Sequence, residues 1–384
     1  MVWQVLQHLV SLRRLGFDTW YVEDSDRPLA EYHRPYGQGP ANYDDSWDFT
    51  GNLDLLAYYM RAIGFADRWV FRTPEVYDAC HGATDIVGLA KLYREADAVL
   101  NLCGSQELRD EHRAIRCLIY LETDPVKNQV AVAQGDPAKI EELDAYHYRF
   151  TYGTNLGAPE CTVPVERHRW IATRPPVCPE WWTPEGPPAA GTALTTIANW
   201  RHKGKDVVWN GEVWRWSKHH EFQRFINLPS RARLPLEMAI GAIRPDEWAE
   251  LQQRGWRTVR SHTLEDPAVY RDYVRTSLGE FTVAKEQYTR PRTGWFSDRS
   301  VCYLAAGRPV VTQDTGFGRS VPTGEGLFAY ATEDEALAAI AAIADDYPKH
   351  SAAAGEIARE YFDGVRVLGE LLNEVGLMAR PQTA

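Results

Sequence analysis

Residues 293–312 read TGWFSDRSVCYLAAGRPVVT, and this stretch contains the pattern that decides the fold. Gly294 breaks the preceding segment, Ser297 or Asp298 can cap a helix, and the apolar run that follows ends at Gly307 before a short strand. A helix that leads into a buried strand is typical of a parallel α/β sheet, with the helix start at the carboxyl edge of the sheet. Free backbone N–H groups and the positive end of the helix dipole favour a diphosphate at that edge.

Alternating helix and strand signals extend from this stretch toward both ends of the chain. Strands that are separated by helices pair in parallel, and the helices cover both faces of the sheet. Only a Pro-rich segment of about fifteen residues interrupts the alternation, as expected for a linker. The sequence predicts an α/β protein with an N-terminal domain at 1–173, a linker at 174–192, a C-terminal domain at 193–345, and helices that pack across both domains at 346–384.

The first predicted element is a helix, with Val2, Leu6 and Leu9 on one side and an end at Gly16. A parallel α/β domain ordinarily opens with a strand and a glycine-containing turn, and that turn often holds a ligand. We therefore expect the N-terminal domain to lack its first strand.

Composition narrows the classes of partner. The 384 residues include 44% hydrophobic residues and a formal net charge of −11, with no dense basic run, which argues against nucleic acid and anionic membranes as partners. No apolar stretch is long enough to span a membrane, and the N-terminus lacks the layout of a secretory signal, so we expect a cytoplasmic protein. The six cysteines include no Cys-x-x-Cys pair, so neither a zinc site nor a disulfide framework is expected.

Together with the glycine-rich segment at 324–330, the stretch at 293–312 resembles the C-terminal domain of GT-B glycosyltransferases, especially bacterial family-one-like members and their spore-maturation-type relatives. The resemblance covers about residues 280–345 and is only architectural in the N-terminal domain. It implies two Rossmann-like domains that face each other across a cleft. It also implies a hexosyltransferase that uses a nucleoside diphosphate sugar and an unidentified acceptor, without a metal or other cofactor.

The resemblance implies that Gly294 and Ser297 hold the donor pyrophosphate, with the backbone at Asp298 and Arg299. The sequence departs from the family pattern near Cys302, where a glutamate is often found, and in lacking the usual pair of glutamates. Asp298 is a candidate substitute for holding the ribose or sugar hydroxyls.

A departing nucleoside diphosphate develops negative charge, and enzymes without a metal stabilise this charge with Arg or Lys. Two strand ends supply such residues: Arg201 and Lys205 follow the first strand of the second domain, and Lys285 follows a later one. We predict that Arg201 and Lys285 act in catalysis and that Lys205 binds the donor. Asp314, in the loop after a predicted strand, and Glu325, which lies between Gly324 and Gly326, are further donor-binding candidates.

The residue that accepts the acceptor's proton is left open. An inverting transfer needs a carboxylate or histidine, whereas a retaining transfer can rely on the leaving phosphate. His8, His81 and Asp124 all lie in the presumed acceptor domain, and the sequence does not choose among them.

Three other interpretations stay open. The Asp24-Ser25-Asp26 pattern has the form that holds a diphosphate-bound Mn²⁺ or Mg²⁺ in GT-A glycosyltransferases. A GT-B-fold epimerase or phosphorylase would use the same donor pocket. A protein that binds a nucleotide sugar without transferring it would also fit, given the missing first strand.

Overall fold

The structure is a computed structural model that describes residues 2–24, 50–73 and 79–377. In its N-terminal part, β1 (Tyr21–Glu23), β2 (Trp69–Thr73) and β3 (Ala79–Gly82) form one small sheet in that order. A second sheet contains β4 (Val99–Leu102), β5 (Leu118–Glu122), β6 (Tyr148–Thr151) and β7 (Ile171–Ala172). All neighbouring strands are parallel except β2 and β3.

The helices of this part alternate with its strands. They are α1 (Val2–Arg14), α2 (Thr50–Ala62), α3 (Ile86–Glu95), α4 (Asp110–Arg113), α5 (Lys127–Ala133) and α6 (Pro137–Asp144). Strand β5 is buried along its whole length, as expected for a parallel strand that helices cover on both faces.

The second half is built on one six-stranded parallel sheet in the order β12-β11-β8-β13-β14-β15. Its strands are β8 (Leu194–Asn199), β11 (Leu236–Gly241), β12 (Arg257–Arg260), β13 (Gly279–Thr282), β14 (Val310–Gln313) and β15 (Leu327–Tyr330), and a separate hairpin consists of β9 (Val207–Trp209) and β10 (Glu212–Trp214). The helices are α7 (His219–Arg224), α8 (Pro245–Gln253), α9 (Pro267–Thr276), α10 (Glu286–Thr289), α11 (Asp298–Ala305), α12 (Glu333–Asp345), α13 (Tyr347–Tyr361) and α14 (Gly364–Glu374).

These sheets confirm the predicted α/β class with two Rossmann-like parts. In the described ranges the chain enters α1 before any strand, as the sequence predicts. The predicted domain boundaries stay a prediction. None of the helices in the described ranges has the length and apolar character to span a bilayer.

The last two helices pack on different halves of the molecule. Helix α13 packs against α11, whereas α14 packs against α1. Three leucines of α14, at 368, 371 and 372, join the core that contains Ile119 and Phe150 of the second sheet. The chain therefore returns at its end to the part of the structure where it began.

One contact between the two halves forms where the segment at 293–295 crosses the loop after β6. Gly153 forms a bridge with Trp295, the Asn155 amide donates to the Thr293 carbonyl at 2.9 Å, and the Trp295 indole donates to the Thr123 carbonyl at 2.8 Å. Gly294 has φ +74° and lies in this contact. A Cβ there would come within 2.4 Å of the Thr154 hydroxyl oxygen. Only glycine fits this position without displacing the facing loop.

We expect Gly294→Ala to weaken this junction more than the matched change Gly324→Ala. Both glycines have positive φ, so both substitutions incur about 1–2 kcal/mol of backbone strain. A Cβ at 324 meets nothing within 4 Å, whereas at 294 it adds a steric cost of about 1–3 kcal/mol. Urea unfolding of both variants measures the difference, and equal losses would contradict the role assigned to the junction.

Candidate functional site

The order of the six-stranded sheet defines a switch point between β8 and β13. From β8 the chain continues to β11 and β12 on one side, whereas β13, β14 and β15 lie on the other. The loops that leave the carboxyl ends of β8 and β13 diverge there, which opens a crevice in which α/β proteins commonly bind ligands. We therefore expect the residues after Asn199 and Thr282 to line this crevice.

Lys285 follows β13 and lies between the two halves of the molecule. Its Nζ is 2.8 Å from Asp124 Oδ1, 2.8 Å from the Tyr288 hydroxyl and 3.1 Å from the centroid of the Trp216 ring. Burial lowers the pKa of Lys285, although Asp124 raises it. The ammonium is thus held by a carboxylate from the other half and by an aromatic face.

Two more lysines lie near Lys285. The Nζ of Lys205, in the loop after β8, is 4.8 Å from the centroid of the same Trp216 ring. Lys218 precedes α7 and is half-buried. Burial lowers the pKa of Lys218 well below its usual value, and the positive charges of Arg299 and Lys285 lower it further.

Within residues 2–24, 50–73 and 79–377, no carboxylate forms an ion pair with Lys205 or Lys218. We call Lys205, Lys218 and Lys285 the lysine cluster. Three ammonium groups with one paired carboxylate among them, Asp124, favour an anionic ligand, because the anion reduces the mutual repulsion of the ammonium groups.

Asp124 lies in the N-terminal half, two residues beyond β5, and contacts the lysine cluster. Its carboxylate also accepts a hydrogen bond from the Tyr288 hydroxyl. Burial opposes ionisation of Asp124, but the charges and hydrogen bonds of Lys285 and Tyr288 outweigh it, so its pKa lies below the usual value. With 45% of its side chain exposed, the Asp124 side chain remains accessible to solvent.

The start of α11 lies beside this cluster, and its residues have different roles. The Ser297 side chain is only 6% exposed and makes no capping hydrogen bond. The Arg299 guanidinium points inward, where it pairs with Glu280 at 2.6 Å and donates to the Ile197 carbonyl at 2.7 Å. The Asp298 carboxylate is half-buried and acts electrostatically on Lys285. Gly294 lies in the contact between the halves described above, where it faces Thr154 and Asn155.

The three other predicted site residues have local partners. Arg201 forms an ion pair with Glu247 of α8 and lies 3.1 Å from His219 Nε2. Asp314 accepts from the Gly316 amide at 2.7 Å, in the turn after β14. Glu325 is exposed and pairs with Lys349 of α13 at 2.7 Å. The structure thus brings Lys205, Lys285 and Asp298 together, and gives Arg201, Asp314 and Glu325 partners elsewhere.

Sequence reasoning missed three members of the site: Trp216, Lys218 and Tyr288. The hairpin of β9 and β10 leads directly to Trp216 and Lys218, and its position depends on tertiary contacts such as that of Gln287 with the Trp214 carbonyl, at 3.0 Å. A lysine that directly precedes a short helix carries no signal by itself.

The other candidate proton acceptors lie in different surroundings. His8 is buried in α1, where its Nδ1 lies 2.7 Å from the Gln4 carbonyl and burial lowers its pKa to about 4. His81 lies on β3, 6.3 Å from the Phe71 ring centroid. Of the Asp24-Ser25-Asp26 pattern, Asp24 is buried and paired with Arg109, while Ser25 and Asp26 lie outside the described residues.

Glu122 supports the strand end that presents Asp124. Its carboxylate accepts hydrogen bonds from Gln129 at 2.7 Å, Thr151 at 2.9 Å and Asn128 at 2.8 Å. Burial raises the pKa of Glu122 to about 7, and these hydrogen bonds oppose the rise. Because the folded carboxyl holds its proton to a higher pH than the unfolded one, stability falls as the pH rises from about 4.5 to about 7.

We expect Glu122→Gln to remove this pH dependence. Relative to the unchanged protein, the variant should gain up to about 3 kcal/mol in free energy of unfolding between pH 4.5 and pH 8, because a neutral amide never has to lose a proton in the buried site. Urea unfolding at both pH values measures the gain, with the exposed Glu166→Gln as the control. Parallel pH curves for Glu122→Gln and the unchanged protein would show that Glu122 does not titrate in this range.

No family model matches the chain, and no curated protein matches it. Solved structures similar to it include AviGT4, a glycosyltransferase involved in avilamycin A biosynthesis, at 13% identity and a TM-score of 0.49, covering 92% of this chain and 96% of that one. Anabaena HepE in complex with UDP-glucose is similar at 11% identity and a TM-score of 0.48, over 93% and 99% of the two chains. An α-glucosyltransferase in complex with UDP and DNA is similar at 10% identity and a TM-score of 0.48, over 76% and 82%.

Proposed function

We propose that this protein is a metal-independent glycosyltransferase that transfers a hexose from a nucleoside diphosphate sugar to the hydroxyl group of an acceptor. The observation that carries the proposal is the lysine cluster at the switch point. It gathers three ammonium groups at the carboxyl ends of β8 and β13, beside the start of α11, where a diphosphate is expected to bind.

The lysine cluster supplies the charge that this chemistry requires. When the bond between the sugar and the diphosphate breaks, the leaving oxygen becomes more negative, and fixed cations lower the energy of that state. Lys205 and Lys218 are without a carboxylate partner in the described part of the chain, so they can take up this role without breaking an ion pair. Lys285 adds a third charge, against the Trp216 ring.

Asp124 supplies the second group. In the proposed reaction Lys285 exchanges Asp124 for the donor diphosphate, and the released carboxylate accepts the proton of the acceptor hydroxyl. The acceptor oxygen then forms a bond to the anomeric carbon of the sugar, while the bond from that carbon to the diphosphate breaks and the nucleoside diphosphate leaves. The position of Asp124 on the other half of the cleft supports this assignment.

Donor binding tests the lysine cluster. We expect UDP-glucose, GDP-mannose or a related nucleotide sugar to bind in the presence of EDTA, and both Lys218→Ala and Lys285→Ala to weaken its binding about 10- to 100-fold, since each removes a charge-assisted contact. Isothermal titration calorimetry measures the affinities. Lys203→Ala is the matched control, because Lys203 is exposed in the same loop as Lys205. Unchanged affinity in both variants, or binding that EDTA abolishes, would contradict the proposal.

The exchange of partners at Lys285 predicts an unusual phenotype for Asp124→Asn. The donor should bind at least as tightly as to the unchanged protein, because a competing carboxylate is gone, while transfer should fall by about 10²-fold or more because no base takes the proton. Calorimetry and analysis of the products separate the two effects. Weaker donor binding together with normal turnover would rule out this role. Sugar epimerisation or phosphorolysis in the unchanged protein, without transfer, would replace the proposed reaction.

A further inference from the structure

A cavity of about 1570 Å³ separates the two sheets of the N-terminal part. Strand β1 lines one side of it and strand β4 the other. In the described ranges β1 pairs only with β2, and β4 pairs only with β5, so each has an open edge toward the cavity. Helices α1 and α14 cover one face, with side chains that include Leu9 and Leu371.

The open edges carry backbone groups that face the cavity. In β4 the amides of Val99 and Cys103 donate to β5, so by the alternation of a parallel ladder the amide of Leu100 points the other way. In β1 the Tyr21 amide donates toward β2, which leaves Val22 directed to the cavity. Unpaired backbone groups beside an apolar cavity cost free energy unless another backbone pairs with them.

The two open edges run in the same direction. Asp24, directly after β1, is paired with Arg109, which follows β4, so the carboxyl ends of both strands lie at one edge. A strand that pairs with both must therefore be parallel to both. With one such strand, the two sheets would become a single eight-stranded sheet in the order β3-β2-β1-new strand-β4-β5-β6-β7.

Helix α1 shows how such a strand would be connected. Its last turn leads through Gly16 to the start of β1, so α1 runs antiparallel to β1 and begins at the carboxyl edge. A parallel strand in the cavity would end at that same edge, a short turn away from Val2. The resulting strand-helix-strand unit has the connectivity that parallel sheets use throughout.

We propose that this cavity is the slot for one further parallel strand, an apolar segment of four to six residues that a short turn joins to the amino end of α1. The length follows from β4, whose four residues span about 13 Å at 3.3 Å per residue. The apolar character follows from burial on both faces, which is typical of central parallel strands. The inference concerns the fold of the N-terminal half and does not rest on the proposed function.

The test fuses the segment Lys-Val-Leu-Val-Val-Gly-Gly ahead of Val2 in the full chain. A matched control carries Lys-Ser-Ser-Pro-Ser-Gly-Gly, which has the same length but cannot form an apolar strand. We expect the first extension to raise the Tm by about 5 °C or more, since it adds buried apolar area and pairs two strand edges. Hydrogen exchange at the amides of Val22 and Leu100 should slow by at least 10-fold. The control should match the unextended chain in both measurements.

Three results would overturn the proposal. Equal Tm values for the two extensions would show that the cavity does not select an apolar strand. A rise in Tm without slower exchange at Val22 and Leu100 would place the segment elsewhere. Stabilisation that appears only with a dimer, measured by light scattering at two concentrations, would mean that a second copy supplies the strand. None of these measurements uses a nucleotide, so the outcome is independent of the lysine cluster.

Discussion

The buried ion pair between Arg299 and Glu280 fixes the geometry on which the candidate site depends. Arg299 lies in the first turn of α11, and Glu280 lies in β13. Both side chains are largely buried between the helix and the sheet. A second donor of the same guanidinium reaches the Ile197 carbonyl of β8, and a third reaches the Thr282 hydroxyl at 2.9 Å. Breaking such a pair on one side leaves a charge uncompensated in the interior, so the start of α11 is held firmly against the two strands of the switch point.

This anchoring explains why positive charge accumulates in one place. Because α11 is held at β8 and β13, the loops after these strands enter the same crevice, and each brings a lysine. From the N-terminal half, Asp124 supplies a carboxylate, and the hydrogen bond that it accepts from Lys285 links the two halves. In the proposed reaction these two groups also take part in the chemistry. An anion that binds to Lys285 therefore competes with a contact between the halves, so ligand binding and the relation of the halves are energetically coupled.

The sequence predicts the class of fold because alternating helices and apolar strands leave few other ways to bury their surfaces. It also places Lys205 and Lys285 correctly at strand ends, because the position of a residue after a strand is a local property. The partners of charged side chains are not local properties. Arg201 looks equivalent to Lys205 in the sequence, but it is paired with Glu247, which lies 46 residues away. Nothing in the sequence around Glu280 indicates that Arg299 is its partner. The positions of Trp216 and Lys218 depend on how the hairpin of β9 and β10 packs on the rest of the protein.

The core of the N-terminal half depends on helix α14, which follows the second half in the sequence. Its leucines complete the core around Ile119 and Phe150, so the first half is without one wall of that core until α14 has been synthesised. During synthesis the N-terminus leaves the ribosome first, and all strands of the second half emerge before α14 does. The second half can therefore complete its sheet while the core of the first half is still incomplete. Early termination a few residues before α14 would thus damage the part of the protein that was synthesised first.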